Sequence, residues 1–180
     1  MHPPDIHTPR LTLVPATQER LRACLLPHND FSAATGWQIP QDWPAKHWDE
    51  GAVNWLLNRL TTNPELLAWG ARFVILPATS PTQRPTLIGT AGVYGPPDEH
   101  GTVEIGYGIV EHLHRRGYGS EAAKGLIDWL WQQPGVKMII AHTMPGDPAS
   151  QGVLRRNGFT AAGVINRPPD GDIARFELLR

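Results

Sequence analysis

The segment HLHRRGYGSEAA, from His112 to Ala123, joins a predicted strand to a predicted helix through a turn that contains two glycines. Glycine at positions 117 and 119 lets the backbone bend sharply and approach a ligand closely. The first turn of a helix exposes unpaired N–H groups at the positive end of the helix macrodipole. With Arg115 and Arg116 beside it, this turn predicts a site for the phosphate groups of a ligand.

Two better-known phosphate motifs do not fit this segment. No Gly-Lys-Ser/Thr follows, so it is not a Walker A loop, and GYGSEA lacks the third glycine of the Rossmann fingerprint. An ordinary strand-to-helix turn with two solvated arginines remains an alternative at this point.

The chain before this turn predicts two helices and a run of strands. A strand over 10–15 precedes a helix that Thr17 can cap, with Leu21, Cys24 and Leu25 on one face. Residues 27–45 are rich in Pro, Asn and Asp and predict a long connection, and a second helix is expected over 46–61. Three apolar segments then predict an antiparallel meander: 69–76, 86–94 and 102–110.

After the turn, helical and extended patterns alternate. The expected elements are a helix over 120–132, a strand over 136–141, a helix over 147–157 and strands over 159–165 and 173–179. Asp147 is the expected cap of the short helix, with Pro148 at its first position. A meander followed by alternating elements predicts one α+β domain over 8–180, with about six to seven mostly antiparallel strands and about four helices, after an N-terminal extension over 1–7.

Composition narrows the class of protein. The 180 residues are 41% hydrophobic, and 16 basic against 17 acidic residues give a net charge of −1, which argues against a nucleic-acid-binding surface. No apolar run suits a membrane span or a signal peptide. The single cysteine, Cys24, excludes a disulfide framework, suits the cytoplasm and is interpreted as a core residue. The eight histidines show no metal-ligand spacing, so no metal is expected.

Two segments in order carry a family resemblance. EIGYGIVEHLHRRGYGSEAAKGLIDW and the later DPASQGVLRRNGF resemble the acyl-CoA-binding core of the GCN5-related N-acetyltransferases, in the branch that includes the ribosomal-protein N-terminal alanine acetyltransferases. The resemblance covers about residues 8 to 180. His114 stands where the family commonly has Arg or Gln, and Asp147 stands where this branch often has Asn.

The resemblance implies a cleft between two splayed strands that binds acetyl-CoA as a co-substrate. The backbone of the strand end would bond the pantetheine arm, and the glycine turn would bind the phosphates. Asp147 is either a cofactor contact or only the helix cap. The implied cofactor-binding residues are Ile109, Val110, Arg115, Arg116, Gly117, Tyr118, Gly119, Ser120 and Asp147.

Glu104 and Ser150 are the candidate catalytic residues. An alkylammonium has a pKa of about 10, so acyl transfer to an amine needs a base. Strand alternation places Glu104 on one face with Gly106 and Gly108, which leaves room for a ligand there, and the resemblance agrees with a base at this position. Ser150 matches the serine of the family's N-x-x-S step and can protonate the leaving thiolate. The alternatives are a solvated carboxylate and a serine bonded only to backbone.

The acceptor pocket is expected to form from 27–45, the second helix and the turns at 95–101 and 166–172. Three tryptophans can supply aromatic walls: Trp37, Trp43 and Trp48. Four acidic residues in the turns suit a cationic amine, unless they are simply solvated: Asp98, Glu99, Asp170 and Asp172. His142 is interpreted as a structural histidine.

These features predict an enzyme that moves an acetyl group from acetyl-CoA directly to a primary amine in a ternary complex, since no poised cysteine is present to form an acyl-enzyme. The acceptor is a small amine or a protein N-terminus. The alternatives are a non-catalytic acyl-CoA-binding regulatory module and a nucleotide-binding protein. No nucleic-acid or membrane partner is expected, and the chain is expected to be a monomer or a homodimer.

Overall fold

Eight strands form a single sheet in the computed structural model, which describes residues 3–168 and 171–180. The strands are β1 (Ile6–His7), β2 (Thr12–Pro15), β3 (Ala71–Leu76), β4 (Thr86–Val93), β5 (Thr102–Ile109), β6 (Met138–Thr143), β7 (Thr160–Arg167) and β8 (Gly171–Leu179). Their spatial order is β1-β2-β3-β4-β5-β6-β8-β7, and every neighbouring pair is antiparallel except β5 with β6. The predicted mixed, mostly antiparallel α+β fold is confirmed.

Five α-helices pack on this sheet within the described residues. They are α1 (Gln18–Cys24), α2 (His28–Thr35), α3 (Glu50–Thr62), α4 (Tyr118–Leu130) and α5 (Pro148–Arg156). The predicted caps are confirmed, because the Thr17 hydroxyl accepts from the N–H of Arg20 and the Asp147 carboxylate accepts from that of Ser150. No helix in this part of the chain is long and apolar enough to span a membrane.

The structure differs from the sequence-based expectations at several points, among them the start of the second helix, which is at Glu50 and not at residue 46. Helix α2 lies inside the segment 27–45, which the sequence predicts as a connection. The pattern gives little sign of this helix, because α2 has no side-chain cap and buries only Phe31. Helix α4 begins at Tyr118, two residues early, because Gly117 takes a φ of 83° and ends the turn there. Strand β1 pairs with β2, so the sheet includes two residues of the segment that was assigned to an N-terminal extension.

An aromatic cluster centred on Phe73 joins the N-terminal helices to the sheet. The Phe73 ring centroid lies 5.5 Å from that of Trp37, 5.7 Å from Trp48 and 6.2 Å from both Trp43 and Phe31. All five side chains are buried. The prediction that the three tryptophans line an acceptor pocket is therefore wrong, because their rings are used in packing.

Replacing Phe73 with alanine should lower the free energy of unfolding by about 3–5 kcal/mol, since the substitution leaves a cavity among four large rings. Urea unfolding measures this change. Val164→Ala, at an exposed position on β7, is the control and should change stability by less than about 0.5 kcal/mol. A loss below about 1 kcal/mol for Phe73→Ala would contradict this assignment of the core.

Candidate functional site

The sheet opens into a cleft where β5 and β6 stop pairing. Their parallel register runs only from Thr102 opposite Met138 to Ile105 opposite Ala141. Strand β5 nevertheless continues to Ile109, paired on its other side with β4. The stretch 106–109 therefore has a backbone edge that the register does not pair with β6.

The backbone of β5 presents alternate residues to this edge. The N–H of Val110 donates to the carbonyl of Ile88 in β4, and the carbonyl of Glu104 accepts from Tyr94 just after β4. The even-numbered residues of β5 therefore direct their backbone groups toward β4. In an antiparallel ladder the intervening residues point the other way, so the N–H and C=O groups of Tyr107 and Ile109 face the cleft. Val110 does not fit its predicted backbone role, because its N–H bonds Ile88 and its C=O accepts from Leu113.

The glycine turn lies at the far end of the same strand. Arg115 and Gly117 both have positive φ angles, 62° and 83°, and Gly117 precedes α4 without a side-chain cap. The Oγ of Ser120, in the first turn of α4, is buried and has no hydrogen-bond partner among the described residues. The first-turn N–H groups and this hydroxyl fit an anionic ligand such as phosphate. The Nε2 of His114 lies 2.7 Å from the carbonyl oxygen of Ile109 and is thus bonded to the end of β5.

The N-terminal segment anchors this turn through contacts that sequence reasoning missed. The Glu121 carboxylate in α4 accepts from the Thr8 hydroxyl at 2.7 Å, the Arg10 backbone N–H at 2.7 Å and the Arg10 Nε at 2.6 Å. Arg10 also donates to the carbonyl of Arg116 and lies 4.6 Å from the centre of the Tyr118 ring. Although burial opposes it, these hydrogen bonds hold the pKa of Glu121 below its usual value. More than a hundred residues separate these partners, and no local pattern connects them.

Glu104 is not a free carboxylate. Its Oε1 accepts from Nδ1 of His142 at 2.8 Å and from Arg167 at 3.3 Å. The face beyond it is also occupied, because a side chain at Gly106 would meet the Tyr94 ring at 3.2 Å and one at Gly108 would meet the Lys46 carbonyl at 3.4 Å and the Ala45 side chain at 3.6 Å. The room expected from the two glycines is thus filled by the protein, and a ligand on this face must lie beside Tyr94.

Ser150 lies next to Tyr107, which is on the opposite strand face from Glu104. The Tyr107 hydroxyl donates to the Ser150 carbonyl at 3.0 Å and lies 3.2 Å from the Ser150 Oγ. Burial raises the pKa of Tyr107 to about 12, against the hydrogen bond with Ser150, so this phenol stays protonated at neutral pH. Asp147 caps α5 beneath them, and its contact with a cofactor stays a prediction.

The loop over 36–49, which joins α2 to α3, crosses the cleft. Asp42 accepts from the backbone N–H of His112 at 3.0 Å and contacts its ring at 2.8 Å. Further along the loop, Lys46 Nζ lies 3.9 Å from Asp147 Oδ2. The loop therefore touches the end of β5 and the start of α5, the two sides of the splay.

Two residues of the acidic turns bond within their own turns. Asp98 accepts from the N–H groups of Thr102 and His100 within its own turn, and the hydrogen bond from Thr102 is the main cause of its lowered pKa. Asp172 accepts from Asn166, and Asp170 lies outside the described residues. Across 3–168 and 171–180, no group of three or more His, Cys, Asp or Glu residues is placed to hold a metal ion.

Comparison with known proteins points to one family. Residues 10–160 match the family model described as "Acetyltransferase (GNAT) domain". A segment of 73 residues is 37% identical to the uncharacterized N-acetyltransferase YjdG of Bacillus subtilis, and this match spans 41% of the chain and 44% of that relative. The chain thus matches less than half the length of this curated relative.

Two solved structures resemble the whole chain in fold. The ribosomal-protein-S5-alanine acetyltransferase of Vibrio fischeri superposes with a TM-score of 0.68 at 14% identity, covering 98% of this chain and 96% of that one. RimL, a ribosomal L7/L12 alpha-N-protein acetyltransferase solved in complex with coenzyme A, superposes with a TM-score of 0.66 at 16% identity and 98% coverage of both. At such identities the likeness shows the fold.

Glu121→Gln should destabilise the protein at neutral pH and have little effect in acid. A carboxylate whose pKa is lowered by folding contributes stability above its ordinary value of 4.5 and loses that contribution as the pH falls below it. Melting temperatures of wild type and Glu121→Gln, measured from pH 7 to about pH 3, should therefore converge at the acid end. Melting curves that stay equally far apart throughout would contradict the anchoring role.

Proposed function

The chain belongs to the acetyltransferase (GNAT) domain family, and on that premise we propose that it transfers an acetyl group from acetyl-CoA to a primary amine. One observation carries the proposal: the unpaired edge of β5 leads directly from Glu104 to the glycine turn. A long ligand with phosphates at one end and a thioester at the other fits a cleft of this form.

In this proposal, acetyl-CoA binds along β5. The N–H groups at the start of α4, with Arg115, Arg116 and the backbone of Gly117 to Gly119, bind its phosphates. Tyr107 offers its backbone N–H and C=O to the pantetheine arm, and Ile109 offers its N–H alone because its carbonyl is bonded to His114. The N–H donors that face the cleft are available to the oxyanion that develops at the thioester carbonyl. The buried Ser120 hydroxyl gains a partner when this site is filled.

Glu104 is the proposed base. An amine enters as an ammonium, loses a proton to the carboxylate directly or through a water, and then attacks the thioester carbonyl. His142 and Arg167 both bond Oε1, so Oε2 is the oxygen proposed to take the proton. As CoA leaves, the nitrogen loses its second proton to the Ser150 oxygen, which gives its own proton to the sulfur, so the transfer is completed in one ternary complex without an acyl-enzyme.

Ser150 is the proposed proton donor to the leaving thiolate, with Tyr107 as its partner. The Tyr107 hydroxyl donates to the Ser150 carbonyl and so fixes the first turn of α5 against β5. Its high pKa means that it stays a neutral donor and does not become a competing base. Since the one proton of the phenol goes to the Ser150 carbonyl, the Ser150 hydroxyl is the donor in its 3.2 Å contact with the phenol oxygen, and it rotates from there to protonate the sulfur.

The proposed acceptor is a small amine or a protein N-terminus, with the second supported by the resemblance in fold to enzymes that modify ribosomal-protein N-termini. On the face that carries Glu104, the described part of the chain places two half-exposed aromatic side chains: Tyr94 beside Gly106, and Trp55 on α3. Arg59 links them, since it stacks on Trp55 and donates to the carbonyl of Tyr94. A reducing cytoplasm suits a chain with one cysteine.

A thiol-release assay tests this function. Wild-type protein is incubated with acetyl-CoA and a panel of small amines and of peptides with free N-termini, and free CoA is measured with a thiol reagent. We expect amine-dependent release, with an N-acetylated product of the matching mass. Thermal stabilisation by CoA without release for any amine would instead support the non-catalytic binding module.

Glu104→Gln should lower turnover by about 10²–10⁴-fold, because glutamine keeps the size of the side chain but cannot accept the proton. CoA affinity should change little. Glu177→Gln is the matched control, since it removes another carboxylate on the same sheet from an ion pair with Arg175 and should leave turnover within about twofold. A loss below about threefold for Glu104→Gln would remove it from the base role.

Ser150→Ala should lower kcat and kcat/KM for acetyl-CoA together by about tenfold, as expected for a contact used only in the transition state. CoA thiol leaves fairly well without full protonation, so a larger loss is not expected.

Tyr107→Phe should reproduce part of this loss, and the double variant should lose no more than Ser150→Ala alone, because the two hydroxyls act as a unit. Wild-type turnover in Ser150→Ala would exclude the serine from catalysis.

A further inference from the structure

His142 is buried beside the proposed base and bonded to it. Its side chain is 7% exposed, and its Nδ1 lies 2.8 Å from Glu104 Oε1. Its other ring nitrogen, Nε2, is buried and has no hydrogen-bond partner in the described part of the chain. Within the described residues, the ring of His142 makes its hydrogen bond to the proposed base and none to the backbone. A histidine with only a structural role is usually bonded to backbone groups.

The register explains why the two side chains meet. Glu104 on β5 lies opposite Ile140 on β6, and His142 follows two residues later, so both point to the same face of the sheet. This pair sits at the last point where β5 and β6 are still close. Two residues further along β5 the unpaired edge has begun, so His142 lies at the base of the cleft.

Charged groups surround the pair on this face. Arg167 of β7 bonds Glu104, and Arg175 of β8, opposite His142 in the ladder, bonds Glu177. The carboxylate of Glu177 is therefore committed to Arg175. Glu104 is the carboxylate that the described structure places within hydrogen-bond distance of His142.

We propose that His142 is a positioning residue for Glu104, an inference that rests on the proposed function. An ionised carboxylate can only accept, so the imidazole donates through Nδ1, which carries a proton. This bond and the one from Arg167 both fall on Oε1. They fix the rotation of the carboxylate and turn Oε2 toward the amine, and the short, buried bond from the histidine is the more rigid of the two.

Two variants separate positioning from packing. His142→Leu fills the buried space but removes the donor, and it should lower kcat by about tenfold or more while KM for acetyl-CoA stays within about twofold. His142→Asn places an amide N–H near the position of Nδ1 and should restore turnover to within about threefold of wild type. A purely structural role predicts the opposite order, because leucine suits a buried site better than asparagine.

A double-mutant cycle tests the coupling directly. In a Glu104→Gln background, His142→Leu should cost less than about twofold more, because a positioning residue has nothing left to position. If the fold-losses in turnover of the two single variants multiply in the double variant, the proposal is overturned. Equal turnover of His142→Leu and wild type would overturn it as well.

The ring tautomer gives a readout that needs no activity. Nitrogen chemical shifts of His142 in the folded wild type should show the proton on Nδ1, and a proton on Nε2 with a bare Nδ1 would refute the arrangement even if every variant folds poorly. If wild type shows no amine-dependent thiol release, the proposed function fails on that result alone. The tautomer then still decides whether His142 holds Glu104.

Discussion

The parallel pairing of β5 with β6 is the constraint on which the site depends. It lasts for four residue pairs in a sheet whose other neighbours are all antiparallel within the described residues. A parallel pair cannot be joined by a hairpin and needs a crossover, and here the crossover is the glycine turn followed by α4. The same connection that makes the pairing possible therefore places a helix N-terminus beyond the end of β5.

The short length of this pairing also determines what lies along the cleft. Glu104 is within the paired stretch and is held by His142 from the neighbouring strand. Tyr107 and Ile109 lie beyond it, and their backbone groups turn toward the opening. The chain leaving β6 then enters α5, where Ser150 meets Tyr107 across the gap. A carboxylate, a row of backbone groups and a hydroxyl are thus arranged along one edge by a single break in pairing.

Local chemistry made much of this predictable. The caps at Thr17 and Asp147 and the turn at Gly117 follow from the preferences of single residues, and alternation along β5 places Glu104 on one face with Gly106 and Gly108. The contacts of those side chains did not follow, because each joins distant segments: Arg10 with Glu121, Glu104 with His142, and Tyr107 with Ser150. Helix α2 was missed for a related reason, since packing of Phe31 in the aromatic cluster stabilises a segment with little helical pattern.

Amide hydrogen exchange, followed by NMR with and without CoA, tests the central claim most directly. We expect slower exchange at the N–H groups of Tyr107 and Ile109 and at the start of α4 when CoA binds. Gly108 and Val110, whose N–H groups bond toward β4, supply the internal control on the same strand and should change little. Protection of Gly108 and Val110 with none at Tyr107 and Ile109, or CoA binding that leaves all of β5 unchanged, would contradict it.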